Sequence, residues 1–447
     1  MGDRKPAVTA LFILLGLWLL LAAGSSGHVS VTDEVGYYFM ARSFVDHGWF
    51  EVPAVADSGN LRSARQGRDG RHYLPFSFGH AVYLSPWVWL GNKLQPALGV
   101  EWAPVFVASF AHSLSTATTW ALFFLILLTY GVRHRRAAIF AVLAMASSLA
   151  FPYARSLFSE PLLALLLTAA WLCFRQQGSR WFLFAALGGL ALALAITVRP
   201  TTVVLLPAFW FLAWEQHRSQ VTTRLTWRPS GWIRGGWRLG VVCLLAILGI
   251  GLFIGYNYAR FGQLFTTGFT VFPDGRPVGW NSPIWYGLAV FLISPGKAIW
   301  LYAPLLVLGA VGWRSLWKCA RISAISVAWL FIANLVLHSL WCQPEGGYCW
   351  GPRFFVGILP LLLLPAAIFV DRESGRLLGL RTAAVVLVCL GIGVQLLGTV
   401  ANFSTVISLH RLASKSSAVS PYYYPAGRYN LRFLPFQAQK AVIADTL

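Results

Sequence analysis

The feature that most constrains this chain is the recurrence of apolar runs, most of them near 20 residues long, between residues 8 and 402. A run of that length crosses the ~30 Å hydrocarbon core of a bilayer as an α-helix. In hydrocarbon every backbone N–H and C=O needs an internal partner, which a helix supplies. Only 11% of the residues are charged and 57% are hydrophobic. Soluble domains carry about 25% charged residues, so a water-soluble fold would leave far too much apolar surface wet. The expected class is an all-α integral membrane protein, a polytopic bundle of about 11 transmembrane helices.

The spans are expected at 8–24, 104–130, 137–152, 160–175, 181–198, 200–214, 239–259, 284–312 (broken), 322–340, 354–370 and 382–402. The first follows Arg4 and Lys5 and ends at Ala22-Ala23-Gly24-Ser25, which also suits the end of a signal peptide. A retained helix is the preferred reading, and cleavage would not alter the topology that follows.

Arginine and lysine fall in every second loop. The clusters are Arg133, Arg135 and Arg136; Arg175 and Arg180; Arg218, Arg224, Arg228, Arg234 and Arg238; Arg314, Lys318 and Arg321; and Arg372, Arg376 and Arg381. Cytoplasmic loops carry such an excess, so the N-terminus is expected in the cytoplasm and the 403–447 tail outside. The net charge of +20 then reflects topology and anionic headgroups. Nucleic-acid binding is not expected, because no folded soluble region is left to perform it. Residues 1–402 form the expected transmembrane domain. Its long first external loop, 25–103, is expected to hold interfacial helices near 34–47 and 76–91. The abundance of Ala, Gly, Arg and Trp hints at a bacterial source, hence the inner (plasma) membrane.

With acids scarce, those on the external face carry the chemistry. Asp33 and Glu34 follow the first span, where they could cap a helix or serve as a base or metal ligand. Glu160 precedes Pro161 at a span entrance. Lys297 lies in Ser294-Pro295-Gly296-Lys297, which interrupts an apolar stretch; it is a functional candidate or a snorkelling anchor. Arg353 follows a glycine-rich turn and could hold a phosphate or a headgroup. Cys342 and Cys349 flank an external loop and are candidates for a disulfide. One carboxylate beside several cations suits glycosyl transfer from a phosphosugar. The phosphate leaves without a general acid, cations hold its growing charge, and the carboxylate takes the proton of the incoming hydroxyl. Glycoside hydrolysis would instead need a second, acidic carboxyl group.

The order of these features resembles the GT-C superfamily of polyprenyl-phosphate-dependent membrane glycosyltransferases, which includes protein O-mannosyltransferases and lipid A aminoarabinose transferases. The resemblance runs from about residue 8 to 400. It rests on Asp33-Glu34 with Tyr37-Tyr38-Phe39-Met40-Ala41-Arg42, and on Glu160-Pro161 in the position of the family's Asp-Pro. Tyr256-Asn257-Tyr258-Ala259-Arg260-Phe261-Gly262, then Ser294-Pro295-Gly296-Lys297, then Trp350-Gly351-Pro352-Arg353-Phe354 complete it. It implies a GT-C-like bundle and an inverting transferase acting on a cell-envelope glycan, lipid or protein acceptor. Asp33, Glu34 and Glu160 would be catalytic or support the acceptor. Lys297, Arg353 and Arg260 would grip the donor phosphate, and Tyr37, Arg42 and Asn257 would contact substrate. Family members differ in metal dependence, so Mg²⁺ or Mn²⁺ is an optional cofactor, with Asp33 its ligand. The alternative classes are a transporter or flippase of a lipid-linked sugar and a non-catalytic envelope scaffold. A transporter would place charges at the bilayer midplane and often repeat its halves.

Overall fold

The computed structural model describes residues 5–400, apart from 26, 30, 54–62, 177–179, 222–228, 269, 271–276, 348 and 374–378. The expected 403–447 tail lies outside the described residues. Among the described residues the chain is a helical bundle with one small hairpin.

Among the described residues, seven helical segments are long and apolar enough to cross a membrane: Lys5–Ala23, Ala103–Thr129, Trp181–Val198, Gly236–Phe261, Arg321–Leu340, Arg353–Glu373 and Leu380–Thr399. Each coincides with an expected span. The other four expected spans are helical but short or broken. His134–Ala146 gives way to a single turn at Ala150–Tyr153. Glu160–Arg175 is a 16-residue helix. Pro200–Leu205 winds as 3₁₀ before the Leu206–Val221 helix. The 284–312 stretch divides into Ile284–Leu292, Ile299–Tyr302 and Leu305–Val311.

The bundle is built for an apolar solvent. Phe12 and Leu19 of the first helix are 71% and 66% exposed, whereas Leu17 and Leu21 are buried. The buried side packs on the Ala111–Thr129 helix. Between helices without a water-driven force, close backbone approach matters, and glycine provides it. A Cβ on Gly249 would collide with the backbone of Ala193, and one on Gly287 with that of Ser339. The Arg353–Glu373 segment lies deepest, with 94% of its apolar stretch buried.

The expected first loop, 25–103, packs into an apolar cluster that includes Tyr37, Met40, Ala41, Phe50 and Leu84, together with Tyr256 of the Pro229–Phe261 helix. Its first helix is Thr32–His47, with the Glu34 carboxylate accepting from the backbone N–H of the N-cap residue Val31. Its second helix runs Phe78–Leu98, beyond the expected residue 91, passing through Pro86 and Pro96. It stops at Gly99, whose φ of 65° accommodates the left-handed cap. Between these helices, Arg65–Gln66 pairs antiparallel with His72–Tyr73. This hairpin was not expected from the sequence; two-residue strands carry too little alternation to read.

Replacing Gly287 by valine is expected to destabilise the protein by about 1–3 kcal/mol through overpacking. A lowered midpoint in detergent thermal unfolding, followed by tryptophan fluorescence, checks this. An unchanged midpoint would mean the Ile284–Leu292 and Arg321–Leu340 helices do not touch there.

Candidate functional site

Four charged side chains from four distant parts of the chain meet at one end of the bundle. Arg353 Nη1 donates to Asp33 Oδ2 at 2.8 Å, and its Nε lies 3.8 Å from Glu160 Oε1. Arg199 Nη1 donates to that same Glu160 oxygen at 2.6 Å. The order Asp33–Arg353–Glu160–Arg199 thus alternates in sign. Glu160 is buried, while the Asp33 side chain is 32% exposed. Asp33 is therefore the carboxylate an incoming group can reach. The rings of Phe158 and Phe354 lie 4.8 Å and 5.3 Å from the Arg353 guanidinium carbon, and Phe354 lies 5.0 Å from that of Arg199. Those faces attract cations while keeping water away.

Local structure explains the convergence. Asp33 and Glu34 occupy the first turn of the Thr32–His47 helix, where the helix dipole favours negative charge. The two carboxylates then diverge. Glu34 Oε2 accepts from Val31 N at 3.2 Å and Oε1 from Leu157 N at 3.0 Å. Glu34 thus caps its own helix and pins the 155–159 turn that leads to Glu160. Its expected place among the catalytic residues becomes a positioning one in this geometry. Glu160 opens its helix with Pro161 behind it, and Arg199 ends the Trp181–Val198 helix just before Pro200.

Arg353 is delivered by a loop held from three sides. Lys297 Nζ donates to the carbonyls of Cys349 and Gly351, at 2.8 Å and 3.0 Å. Tyr153 Oη donates to the Trp350 carbonyl at 2.9 Å. Trp350 Nε1 donates to Gln395 Oε1 at 3.2 Å. Gly346 has a φ of 76°, and a Cβ there would stand 3.1 Å from Arg353 Nε; only glycine lets the arginine pass so closely.

Three expected residues make other contacts in the structure. Lys297 was expected to grip phosphate, but its buried ammonium serves backbone carbonyls that the irregular turn leaves without helical partners. Arg260 was expected beside Arg353. It instead donates to the Leu74 carbonyl at 2.6 Å and to Asn257 Oδ1 at 2.7 Å, and covers the Tyr256 ring at 3.9 Å. Arg260, steadied by Asn257, thereby ties Leu74 to the end of the Pro229–Phe261 helix. Cys342 and Cys349 are not joined in a disulfide. Cys349 Sγ faces Lys297 Nζ at 3.4 Å, whereas Cys342 Sγ accepts from Gly279 N at 3.5 Å, so the two sulfurs serve different contacts.

Of the residues expected to contact substrate, Tyr37 borders the cluster. Burial pushes its hydroxyl up to about 12; Ser159 opposes the shift, while Glu160 and Asp33 add to it. Tyr37 is therefore a neutral hydrogen-bonding group at physiological pH. Arg42 points elsewhere, pairing with Asp46 at 3.5 Å in an open cleft of about 520 Å³ that also holds Glu51 and Arg71. Arg199, an arginine between the expected spans 181–198 and 200–214, was given no role from the sequence.

A divalent ion fits this arrangement poorly. Asp33 and Glu160 are each held by a guanidinium, and Glu34 is turned to backbone amides. Among the described residues no group of three or more His, Cys, Asp or Glu could share a metal.

Among solved structures, the chain is similar to the crystal structure of ArnT from Cupriavidus metallidurans bound to undecaprenyl phosphate. The match covers 99% of this chain and 79% of that chain, at 15% identity and a TM-score of 0.48. No family model matches, and no curated protein matches.

Substituting Glu34 by alanine is expected to destabilise the start of the Thr32–His47 helix by about 1.5–3 kcal/mol, the scale of a hydrogen bond to a charged group. Amide exchange at Val31 and Leu157 should quicken together. Unchanged protection at Leu157 would contradict the pinning role.

Proposed function

We propose that this chain is an inverting glycosyltransferase that moves a sugar from a polyprenyl-phosphate donor to a hydroxyl of a cell-envelope acceptor, on the non-cytoplasmic face. The observation that carries the reading is the partly open Asp33 carboxylate held 2.8 Å from Arg353, with Glu160 and Arg199 behind it. The arginine-rich loops support a reading with this end of the bundle outside. The sequence resemblance to the GT-C superfamily supplies the donor class.

In the proposed reaction Asp33 takes the proton of the acceptor hydroxyl. That oxygen attacks the anomeric carbon, the carbon–oxygen bond to phosphate breaks, and the anomeric configuration inverts. Polyprenyl phosphate leaves with one more negative charge, which Arg353 and Arg199 hold through their remaining N–H donors. Glu160 keeps both guanidinium groups in register. A donor phosphate competes with Asp33 for Arg353, so its arrival loosens the carboxylate that acts as base. No step runs through a metal ion.

A transporter of a lipid-linked sugar is favoured by one observation, the buried Lys297 at a helix break. Its ammonium is engaged by two carbonyls, which suits a structural post better than a passing substrate.

In proteoliposomes supplied with a polyprenyl-phosphate sugar, Asp33→Asn should lower transfer by about 10²–10⁴-fold, the range of general-base catalysis, with donor binding retained. Wild-type transfer by this variant would remove the base assignment. Passage of intact lipid-linked sugar across the bilayer by the wild type would favour the transporter instead. Arg199→Ala should weaken transfer by at least about 10²-fold, the scale of a lost charge-stabilising donor. Full activity would separate Arg199 from the phosphate.

A further inference from the structure

The end of the bundle opposite Asp33 carries a second built feature. Helical rise along the Arg353–Glu373 segment puts Asp371 about 27 Å from Arg353. There, Asp371 Oδ1 accepts from Arg133 Nε at 3.0 Å, and the Asp371 carbonyl accepts from Arg133 and Arg136, each at 2.7 Å. Beside this knot lies a groove of about 660 Å³ between the His134–Ala146 and Leu380–Val400 helices. Its walls are apolar, with Ile139, Phe140, Leu143, Leu305, Val388 and Ile392 among them. Its mouth carries Arg135, Arg136 and Arg381, together with the Asp371 carboxylate.

The charges at the mouth do not cancel. Arg133 and Arg136 hold Asp371. Arg135 and Arg381 are exposed, and among the described residues neither has a hydrogen bond or ion-pair partner. The groove also closes at its inner end. A Cβ on Gly391 would collide with the backbone of Ser147, so the two helices touch there. Rise from Arg381 to Gly391 is about 15 Å, half of a ~30 Å hydrocarbon core. The groove is therefore one leaflet deep, apolar along its length and cationic at its rim.

We infer that this groove binds an anionic phospholipid of the cytoplasmic leaflet, with its phosphate between Arg135 and Arg381 and an acyl chain along Ile139, Leu143 and Val388. Basic pockets between transmembrane helices on that side suit anionic headgroups. The two guanidinium groups supply planar donor forks for phosphate oxygens. The lipid would bridge the His134–Ala146 and Leu380–Val400 helices on the face away from the Asp33 cluster, so its binding does not depend on the proposed transfer reaction.

Native mass spectrometry of the full-length protein, titrated with phosphatidylglycerol or phosphatidylcholine, tests this directly. Wild type should retain phosphatidylglycerol more tightly. Arg135→Ala with Arg381→Ala should lower that affinity by roughly 25-fold at low salt, from about 5-fold per arginine, and leave phosphatidylcholine unchanged. Arg135→Lys with Arg381→Lys should keep most of the preference. Ala384→Trp, which fills the groove and spares the arginines, should lower phosphatidylglycerol retention as well. Equal retention of both lipids by the wild type, or wild-type phosphatidylglycerol affinity in the double alanine variant, would overturn the assignment.

Discussion

The Arg353 guanidinium is a charge held away from water between two carboxylates, and the rest of that face is arranged around keeping it there. Removing an ion from water costs several kcal/mol even after relaxation, and counter-charges with good geometry offset the cost. Asp33 at 2.8 Å and Glu160 at 3.8 Å supply them. Neither could do so without its own support. Asp33 is set by a helix start that Glu34 caps, and Glu160 is steadied by Arg199. The loop that presents Arg353 rests on Lys297, Tyr153 and Gln395. Breaking a buried pair by deleting one partner costs about 3–5 kcal/mol, so folding and the proposed chemistry share the same contacts. Substitutions here need a folding control for that reason.

The deeply buried segment that begins with Arg353 is tied by charge at both ends. At one end its arginine meets two carboxylates; at the other its Asp371 meets two arginines. Opposite charges at the two ends leave each contact unambiguous and fix the segment along its own axis. An apolar helix among apolar helices has little else to prevent sliding, because lipid tails and leucines are alike in polarity.

The sequence was most legible where length and polarity alone decide. The seven long spans, the break near Lys297 and the helices of the first loop all follow from runs of apolar residues and their interruption. Asp33, Glu160 and Arg353 were found by a simple argument: charges are rare in this chain, and these three fall on one side. What could not be read was the partner of each charge. Lys297 and Arg260 carry the right sign on the right face, yet they spend it on carbonyls that exist only once the turn and the external loop have folded. Cys342 and Cys349 are close along the chain, but the intervening turn, with Gly346 and Gly347 at positive φ, directs their sulfurs to different neighbours. Arg199 went without a role because nothing local to it announces Glu160. Side-chain pairing across 39 residues for Arg199 and 320 for Arg353 is a property of the fold.

The account's central claim is that Arg353 and Arg199 receive the phosphate while Lys297 and Arg260 hold the scaffold. A structure of the protein with bound polyprenyl phosphate tests it most directly. The account predicts phosphate oxygens at about 2.7–2.9 Å from guanidinium nitrogens of Arg353 and Arg199, with Lys297 still on the Cys349 and Gly351 carbonyls. A phosphate seated on Lys297 or Arg260, with the Asp33–Arg353 pair unaltered, would contradict it.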